Sequence, residues 1–151
     1  MKINKGFTLI ELLVVIAIIG VLSSIVMSSI GKSREKAHDA SAKATLNGVR
    51  AQSALYYNEN NFSYGDSGTD CATVNSVFDP TKDNNINSMV LAAQTVVGGG
   101  DTACANDSVS YVVAVTLQGG GVWCVDSNGY ASTTLLALTS TGGVTEKIAC
   151  E

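Results

Sequence analysis

Four cysteines are the residues best able to do chemistry in this sequence of 151 residues, and all four follow an apolar segment near its start. They are Cys71, Cys104, Cys124 and Cys150. An even number of cysteines is typical of disulfides formed in an oxidising compartment, although spacing does not fix their connectivity. A metal site is the weaker interpretation, because no two cysteines have the spacing of a zinc hook and His38 is the only histidine. We therefore expect two disulfides, no metal and no cofactor.

Three aspartates are the next candidates for chemistry, because turn-like stretches rich in Gly, Asn and Ser contain Asp101, Asp107 and Asp126. Their oxygens could in principle bind calcium. However, their spacing is not that of an EF-hand, and aspartates in such turns usually accept hydrogen bonds from the turn itself. No Ser-His-Asp or Cys-His set is present to activate a nucleophile. The sequence predicts no catalytic residue, and we expect the protein not to be an enzyme.

The most unusual ionisable residue is Glu11, the only charged residue in the apolar segment formed by residues 7–30. A helix of that length reaches roughly 36 Å and can cross a hydrocarbon core of about 30 Å. A carboxylate at the bilayer centre costs about 2.5 to 3.5 kcal/mol, and somewhat less near the edge. A signal peptide cut after Ser23, or a plain membrane anchor, offers this carboxylate no partner. A helix that packs among copies of itself can supply a cation from a neighbouring chain.

The other charges bear on partners and orientation. The net charge of −4 gives no general basic field for nucleic acid. Lys32, Arg34 and Lys36 form the best basic cluster, but directly after an apolar segment they are more simply membrane-flanking charges. Lys2 and Lys5 lie at the other end of the segment, so charge leaves the orientation open. The cysteines place the C-terminal part outside, because disulfides need an oxidising compartment.

The apolar segment begins within the stretch KGFTLIEL, residues 5–12. After a short basic leader, this stretch resembles the N-terminus of type IV pilins and the related pseudopilins, and the likeness covers roughly the first 30 residues. The resemblance implies that a prepilin peptidase cuts between Gly6 and Phe7 and N-methylates Phe7. It also implies that Glu11 pairs with the N-terminal amine of an adjacent subunit. The implied partners are itself and other pilins, that peptidase and an assembly platform in the inner membrane.

The function implied by this resemblance is that of a structural subunit of a type IV pilus or pilus-like filament. The subunit would sit in the inner membrane before assembly, and then in a filament on the cell surface or in the periplasm. A type II secretion pseudopilin is the alternative within the same fold. A membrane-anchored or secreted binding domain that does not polymerise is the alternative from another class. Nucleic acid would be a partner only of a DNA-uptake pilus.

The sequence does not decide whether the long helix that must position Glu11 is softened near residue 28. Many pilins carry a proline where this sequence has Ser28. Glycines and serine pairs in the segment either soften the helix or allow close packing between helices. Residues 31–60 lack proline and should continue the helix as an amphipathic stretch. One face of that stretch carries Ala42, Leu46, Val49, Ser53 and Tyr56.

The remaining elements predict a head of the α+β class. An aromatic cluster of Tyr56, Tyr57, Phe62 and Tyr64 should pack at the end of the helix. Residues 58–83 are predicted to form a surface loop. Residues 85–97 are predicted to form a short helix, capped by Asn84 or Asn85 and ended by Gly98. Strands are predicted at residues 108–117, 122–126, 130–138 and 144–149, with a type I′ turn at Asn128-Gly129.

These elements predict a long N-terminal helix, transmembrane in its first half, packed on an antiparallel sheet of three or four strands, which the pilin resemblance also implies. The expected organisation is a cleaved leader (1–6), a transmembrane polymerisation helix (7–30), its amphipathic continuation (31–60) and a globular head (61–151). Among the disulfide pairings we favour Cys124 with Cys150, which resembles the C-terminal disulfide loop of many pilins, and Cys71 with Cys104.

Overall fold

The structure is a computed structural model that describes residues 6–134 and residue 150. It has two helices, α1 (Leu9–Glu59) and α2 (Ile86–Val96). The strands are β1 (Thr102–Asn106), β2 (Tyr111–Thr116), β3 (Val122–Asp126) and β4 (Ala131–Thr134). The chain divides into two compact units, Met1–Arg34 and Glu35–Glu151. The α+β class predicted from the sequence is confirmed.

The first unit contains the apolar part of α1. Its large apolar side chains between Leu9 and Ile30 are 45% to 81% exposed. The helix passes Gly20 and Gly31 without interruption, and the hydroxyl of Ser24 donates a hydrogen bond back to the Gly20 carbonyl at 2.7 Å. By length and composition, α1 is able to cross a membrane.

In the second unit, the later part of α1 packs on one face of the sheet. The predicted stripe on the helix is buried, with Leu46 and Val49 inaccessible to solvent. These side chains share one core with Tyr111, Val113 and Val125 of the sheet. The 3.6-residue periodicity of the sequence therefore identified the packed face of the helix.

The sheet is antiparallel with the order β1-β2-β3-β4. Side chains alternate between its two faces, so Val113 of β2 contacts the core beneath α1, while Val112 and Ala114 lie in a second cluster. That second cluster is built mostly from small residues, including Ala103 and Ala105 of β1. Both faces of β1 and β2 are buried.

Strand β1 was not predicted from the sequence. Its sequence, TACAN, lacks the β-branched residues except for one threonine and has no aromatic residue, so its strand propensity is low. The strand predicted at residues 108–117 begins only at Tyr111, because Asp107 stabilises a turn before it. The Asp107 Oδ1 accepts hydrogen bonds from the backbone N–H of Val109 at 2.8 Å and from that of Ser110 at 2.7 Å. The strand predicted at residues 144–149 and the last residues of the one at 130–138 lie outside the described residues.

The type I′ turn predicted at Asn128-Gly129 is wrong. Gly129 has a φ of 95°, but Asn128 is not among the residues with positive φ, which a type I′ turn requires at both positions. Instead, the N–H of Asp126 donates to the Tyr130 carbonyl at 3.2 Å, closing a three-residue loop with its glycine in the left-handed region. The carboxylate of Asp126 stabilises this longer loop by accepting from the N–H groups of Asn128 at 2.9 Å and Tyr130 at 3.0 Å.

Helix α2 begins and ends close to the predicted positions. Asn85 occupies the N-cap position, whereas the capping bond comes from Asn84, whose Oδ1 accepts from the N–H of Ile86 at 3.1 Å. At the other end, Gly98 donates to the Thr95 carbonyl and Gly99 to that of Gln94. Both glycines have positive φ, so they form a Schellman motif, and the predicted end at Gly98 is confirmed.

Candidate functional site

The N-terminal junction of Gly6 and Phe7 precedes the first helical residue, Leu9. Phe7 is 79% exposed, and a side-chain carbon built at Gly6 would meet no atom within 4 Å. The peptide bond between these two residues therefore lies before the helix, and among the described residues nothing packs against Gly6.

A capping box begins α1 immediately after this junction. Thr8 occupies the N-cap position, and its hydroxyl accepts a hydrogen bond from the backbone N–H of Glu11 at 3.3 Å. In return, the Glu11 Oε2 accepts from the backbone N–H of Thr8 at 2.9 Å and from its hydroxyl at 2.7 Å. This reciprocal pairing satisfies N–H groups that have no partner within a helix. The acid also lies in the first turn, where the helix dipole favours negative charge.

The expectation that Glu11 lacks a partner within its own chain is therefore wrong. The missed signal was the pattern Thr-x-x-Glu directly before an apolar run, which is typical of a capping box. Both hydrogen bonds from Thr8 reach the same oxygen, Oε2, and the other oxygen, Oε1, bonds to none of the described residues. Thr8 brings no positive charge, so its hydrogen bonds leave the charge of the carboxylate without a counterion from this residue.

The structure brings the four cysteines together as two disulfides. Cys71 is bonded to Cys104, with their Cα atoms 4.8 Å apart, which joins the loop after α1 to strand β1. Cys124 is bonded to Cys150, with their Cα atoms 5.7 Å apart, which attaches residue 150 to strand β3. The Asp126 Oδ2 supports the second attachment by accepting from the N–H of Cys150 at 3.0 Å.

The three aspartates considered for calcium are not brought together. Among the described residues there is no group of three acidic, histidine or cysteine side chains able to hold a metal ion. Asp107 and Asp126 use their carboxylates in turns, as described above. Burial would raise the pKa of Asp107, but hydrogen bonds from Val109 and Ser110 outweigh it and hold that pKa below its ordinary value. His38 is an exposed residue of α1.

The aromatic residues form a packed cluster at the end of α1. The ring centroid of Tyr57 lies 5.7 Å from that of Phe62 and 4.6 Å from that of Tyr64. Tyr64 also lies 5.0 Å from Tyr111 of β2, which in turn contacts Phe78 at 6.4 Å. Tyr111 and Phe78 were not predicted in this cluster, because they are distant along the chain from the other aromatic residues. Burial raises the pKa of Tyr111 to about 12.

A contact between α1 and the β2–β3 turn was also missed. The Asp39 Oδ1 accepts from the backbone N–H of Gln118 at 2.8 Å, and its Oδ2 accepts from that of Gly119 at 3.1 Å. One carboxylate thus fixes the turn to the helix with two charge-assisted hydrogen bonds. No local pattern in the sequence could reveal a contact between residues so far apart.

These features define a class of protein. It has an α+β head and a long helix, and the exposed apolar part of that helix begins with a capping box that contains an acidic residue. Known proteins share its N-terminal part. The family described as prokaryotic N-terminal methylation motif matches residues 1–27. The type IV wide pilus major component PilA4 of Thermus thermophilus is 41% identical over 61 residues, which are 40% of this chain and 47% of that protein.

A second relative, the type IV major pilin protein PilA of Myxococcus xanthus, is 36% identical over 56 residues, or 37% of this chain and 26% of that protein. The matched region thus spans less than half the length of either relative. No solved structure matches the chain. The resemblance to the type IV pilin family is confirmed for the N-terminal part of the chain.

Proposed function

We propose that this protein is a structural subunit of a type IV pilus or pilus-like filament, assembled through the apolar part of α1. The observation that carries this proposal is a stretch of helix with exposed apolar side chains that begins with a single acid. Exposed apolar surface of this extent needs another environment than water. A lipid bilayer supplies that environment before assembly, and the same helix of neighbouring subunits supplies it in the filament.

Processing would take place at the junction described above. A prepilin peptidase would cut between Gly6 and Phe7 and N-methylate the new terminus of Phe7, which agrees with the methylation motif matched over residues 1–27. Thr8 remains in the mature chain, so the capping box survives the cut. The new amine lies directly before α1 and can reach a neighbouring chain.

Glu11 would then have two roles with its two oxygens. Its Oε2 closes the capping box with Thr8, while its Oε1 accepts from the N-terminal amine of an adjacent subunit. A carboxylate in an apolar surrounding is tolerated when it is paired with a cation, and removing one partner of such a pair costs about 3 to 5 kcal/mol. The attraction between this carboxylate and the neighbouring amine therefore favours one position of each subunit along the filament axis.

The proposed location follows from the same helix. The subunit would be a single-pass protein of the inner membrane, with its disulfide-bonded head in the oxidising compartment, and would then enter a filament on the surface or in the periplasm. Its partners would be other pilins, the peptidase and an assembly platform. The role is structural rather than enzymatic, and no cofactor is required.

The mature N-terminus tests the processing step. Intact-mass and peptide mass spectrometry on filaments or membranes should find a chain that begins at N-methylated Phe7. A variant with Gly6→Glu should keep its leader and remain in the membrane. A wild-type chain that begins at Ser24, or that still carries Met1, would contradict the proposal.

A further inference from the structure

The sequence contains two Asn-x-Ser tripeptides, at residues 61–63 and 106–108. In exported proteins this tripeptide is the acceptor pattern for N-linked glycans, which are bulky and need a surface position. The proposed function uses neither tripeptide. Their surroundings differ enough to decide which of them can be modified.

Asn106 is unsuited as an acceptor. It is 1% exposed, and its Nδ2 donates hydrogen bonds to the carbonyls of Tyr64 at 3.2 Å and Asp66 at 2.9 Å. Its backbone also pairs with Gly68. A sugar at this nitrogen would break both side-chain bonds and would have no space.

Asn61 has the opposite surroundings. It lies two residues after Glu59, the last residue of α1. Its backbone is in the left-handed conformation, with a φ of 56°, and its side chain is exposed. The N–H of Phe62 donates to the Tyr57 carbonyl at 2.9 Å, so the chain turns away from the helix at this point. The tripeptide therefore forms a protruding turn in the second unit.

The two neighbouring asparagines show that this freedom is specific to Asn61. The Nδ2 of Asn58 donates to the Ala54 carbonyl at 2.9 Å, and that of Asn60 donates to the Tyr56 carbonyl at 2.8 Å. The carboxamide of Asn61 bonds to none of the described residues. Of the three asparagines at this helix end, the one in the acceptor tripeptide is the one whose nitrogen is available.

Ser63 fits the same role. Its Oγ accepts a hydrogen bond from the N–H of Gly65 at 3.1 Å, which leaves the hydroxyl proton to be donated elsewhere. A hydroxyl two residues after the acceptor can donate to the carboxamide oxygen, which helps to orient the weakly nucleophilic amide nitrogen. Phe62 between them is 67% exposed and has a φ of 58°, so it does not bury the acceptor.

We propose that Asn61 is an N-glycosylation site whose donor is a saccharide linked to a lipid pyrophosphate. The Nδ2 of Asn61 forms a bond to the anomeric carbon, the bond from that carbon to the pyrophosphate oxygen breaks, and the lipid pyrophosphate leaves. The amide nitrogen loses one proton, and nothing is oxidised or reduced. Because the reaction needs only an exported head, the inference does not depend on filament assembly.

Peptide mass spectrometry of the full-length protein, purified from the membranes of cells that encode it, tests this site. The peptide that contains Asn61 should carry a saccharide in the wild type and in Ser63→Thr, which keeps the acceptor pattern. The saccharide should be absent in Ser63→Ala and in Asn61→Gly. Glycine suits the left-handed backbone at this position, so the last variant removes the acceptor without straining the turn.

Three results would overturn the proposal. The first is a wild-type peptide without a saccharide at residue 61. The second is a saccharide that persists in Asn61→Gly, which would place it on a hydroxyl such as that of Ser63. A saccharide on Asn106 of the folded wild type would show that burial does not select the acceptor.

Discussion

The two parts of α1 place apolar side chains in opposite surroundings. In the first part, Leu9 and Ile10 are 81% and 74% exposed, and no large apolar residue up to Ile30 is less than 45% exposed. In the later part, Leu46 and Val49 are fully buried against the sheet. In one continuous helix, the same chain thus buries the apolar face of the later part and leaves the apolar side chains of the first part exposed.

The two parts of α1 therefore depend on different surroundings for their apolar side chains. The later part is stabilised within one molecule by core packing, by the Asp39 contact and by the disulfides. In the first part, the described residues have helical hydrogen bonds, the capping box and local serine bonds such as that of Ser24 to Gly20, but their large apolar side chains are exposed. Covering those side chains requires another environment than water. Substitutions in the first part should therefore change assembly, and substitutions in the second should change the stability of the head.

The largest effect is expected at Glu11. Glu11→Ala should leave the protein in the membrane but abolish efficient filament assembly, because the amine of the next subunit loses its partner. Glu11→Gln separates the two roles of the side chain, since glutamine can still complete a capping box but carries no charge. We expect both variants to give few filaments by electron microscopy.

Thr8→Ala is the matched control for this experiment. It removes the N-cap, which costs about 1 kcal/mol of helix stability, but keeps the charge of Glu11. Filaments should still form. A normal filament yield from Glu11→Gln would place the role of this residue in the cap rather than in the charge.

The next effect is expected from the disulfide between Cys71 and Cys104, which closes a loop with a sequence separation of 33. Replacing both residues with alanine should lower the free energy of unfolding of the head by about 3 to 4 kcal/mol, because the unfolded chain regains freedom. Denaturant titration of the full-length protein in detergent measures this change. An unchanged midpoint would show that the cross-link contributes nothing to the head.

A somewhat smaller effect is expected from Leu46→Ala, which should cost about 3 kcal/mol because it leaves a cavity beneath the helix. Leu55→Ala is the matched control on the same helix, since Leu55 is 54% exposed. The control should shift the same unfolding midpoint only slightly. Equal losses from the two variants would contradict the assignment of the buried face.

The smallest effect concerns alkaline pH and Tyr111. Burial raises its pKa in the folded protein to about 12 from an ordinary value of 10.0. Between these values the unfolded chain loses the phenolic proton first, so stability should fall as the pH rises from the unfolded toward the folded pKa. The full loss, reached above the folded pKa, should be about 2 to 3 kcal/mol, because one pKa unit corresponds to about 1.4 kcal/mol.

Tyr111→Phe should reduce this alkaline decline, which thermal unfolding at several pH values can measure. Tyr130→Phe provides a control at an exposed tyrosine. If the decline is the same in wild type and Tyr111→Phe, the buried phenol is not its cause.

Several elements could be predicted from the sequence because their signals are local. The helical stripe through Leu46 and Val49 follows from periodicity, the bounds of β3 from a short apolar run, and the end of α2 from Gly98. The N-terminal motif is likewise continuous along the chain. Each of these signals depends on residues only a few positions apart.

The remaining features arise from tertiary contacts or from competing local patterns. Strand β1 forms because β2 pairs with it, despite the weak strand propensity of its own residues. The contact of Asp39 with Gln118 joins residues far apart in the chain. The hairpin after β3 differs from the expected turn because the carboxylate of Asp126 stabilises a longer loop. In contrast, the capping box was readable from the sequence, but the partner of Glu11 was sought outside the chain.

The bond between Cys71 and Cys104 also bears on resistance to proteolysis. If an enzyme cuts the exposed backbone near Pro80, the two fragments remain covalently joined through their sulfur atoms. Such a nicked molecule would migrate as one species on a gel without reductant and as two fragments with it. A single cut in this region therefore leaves the head attached to its helix.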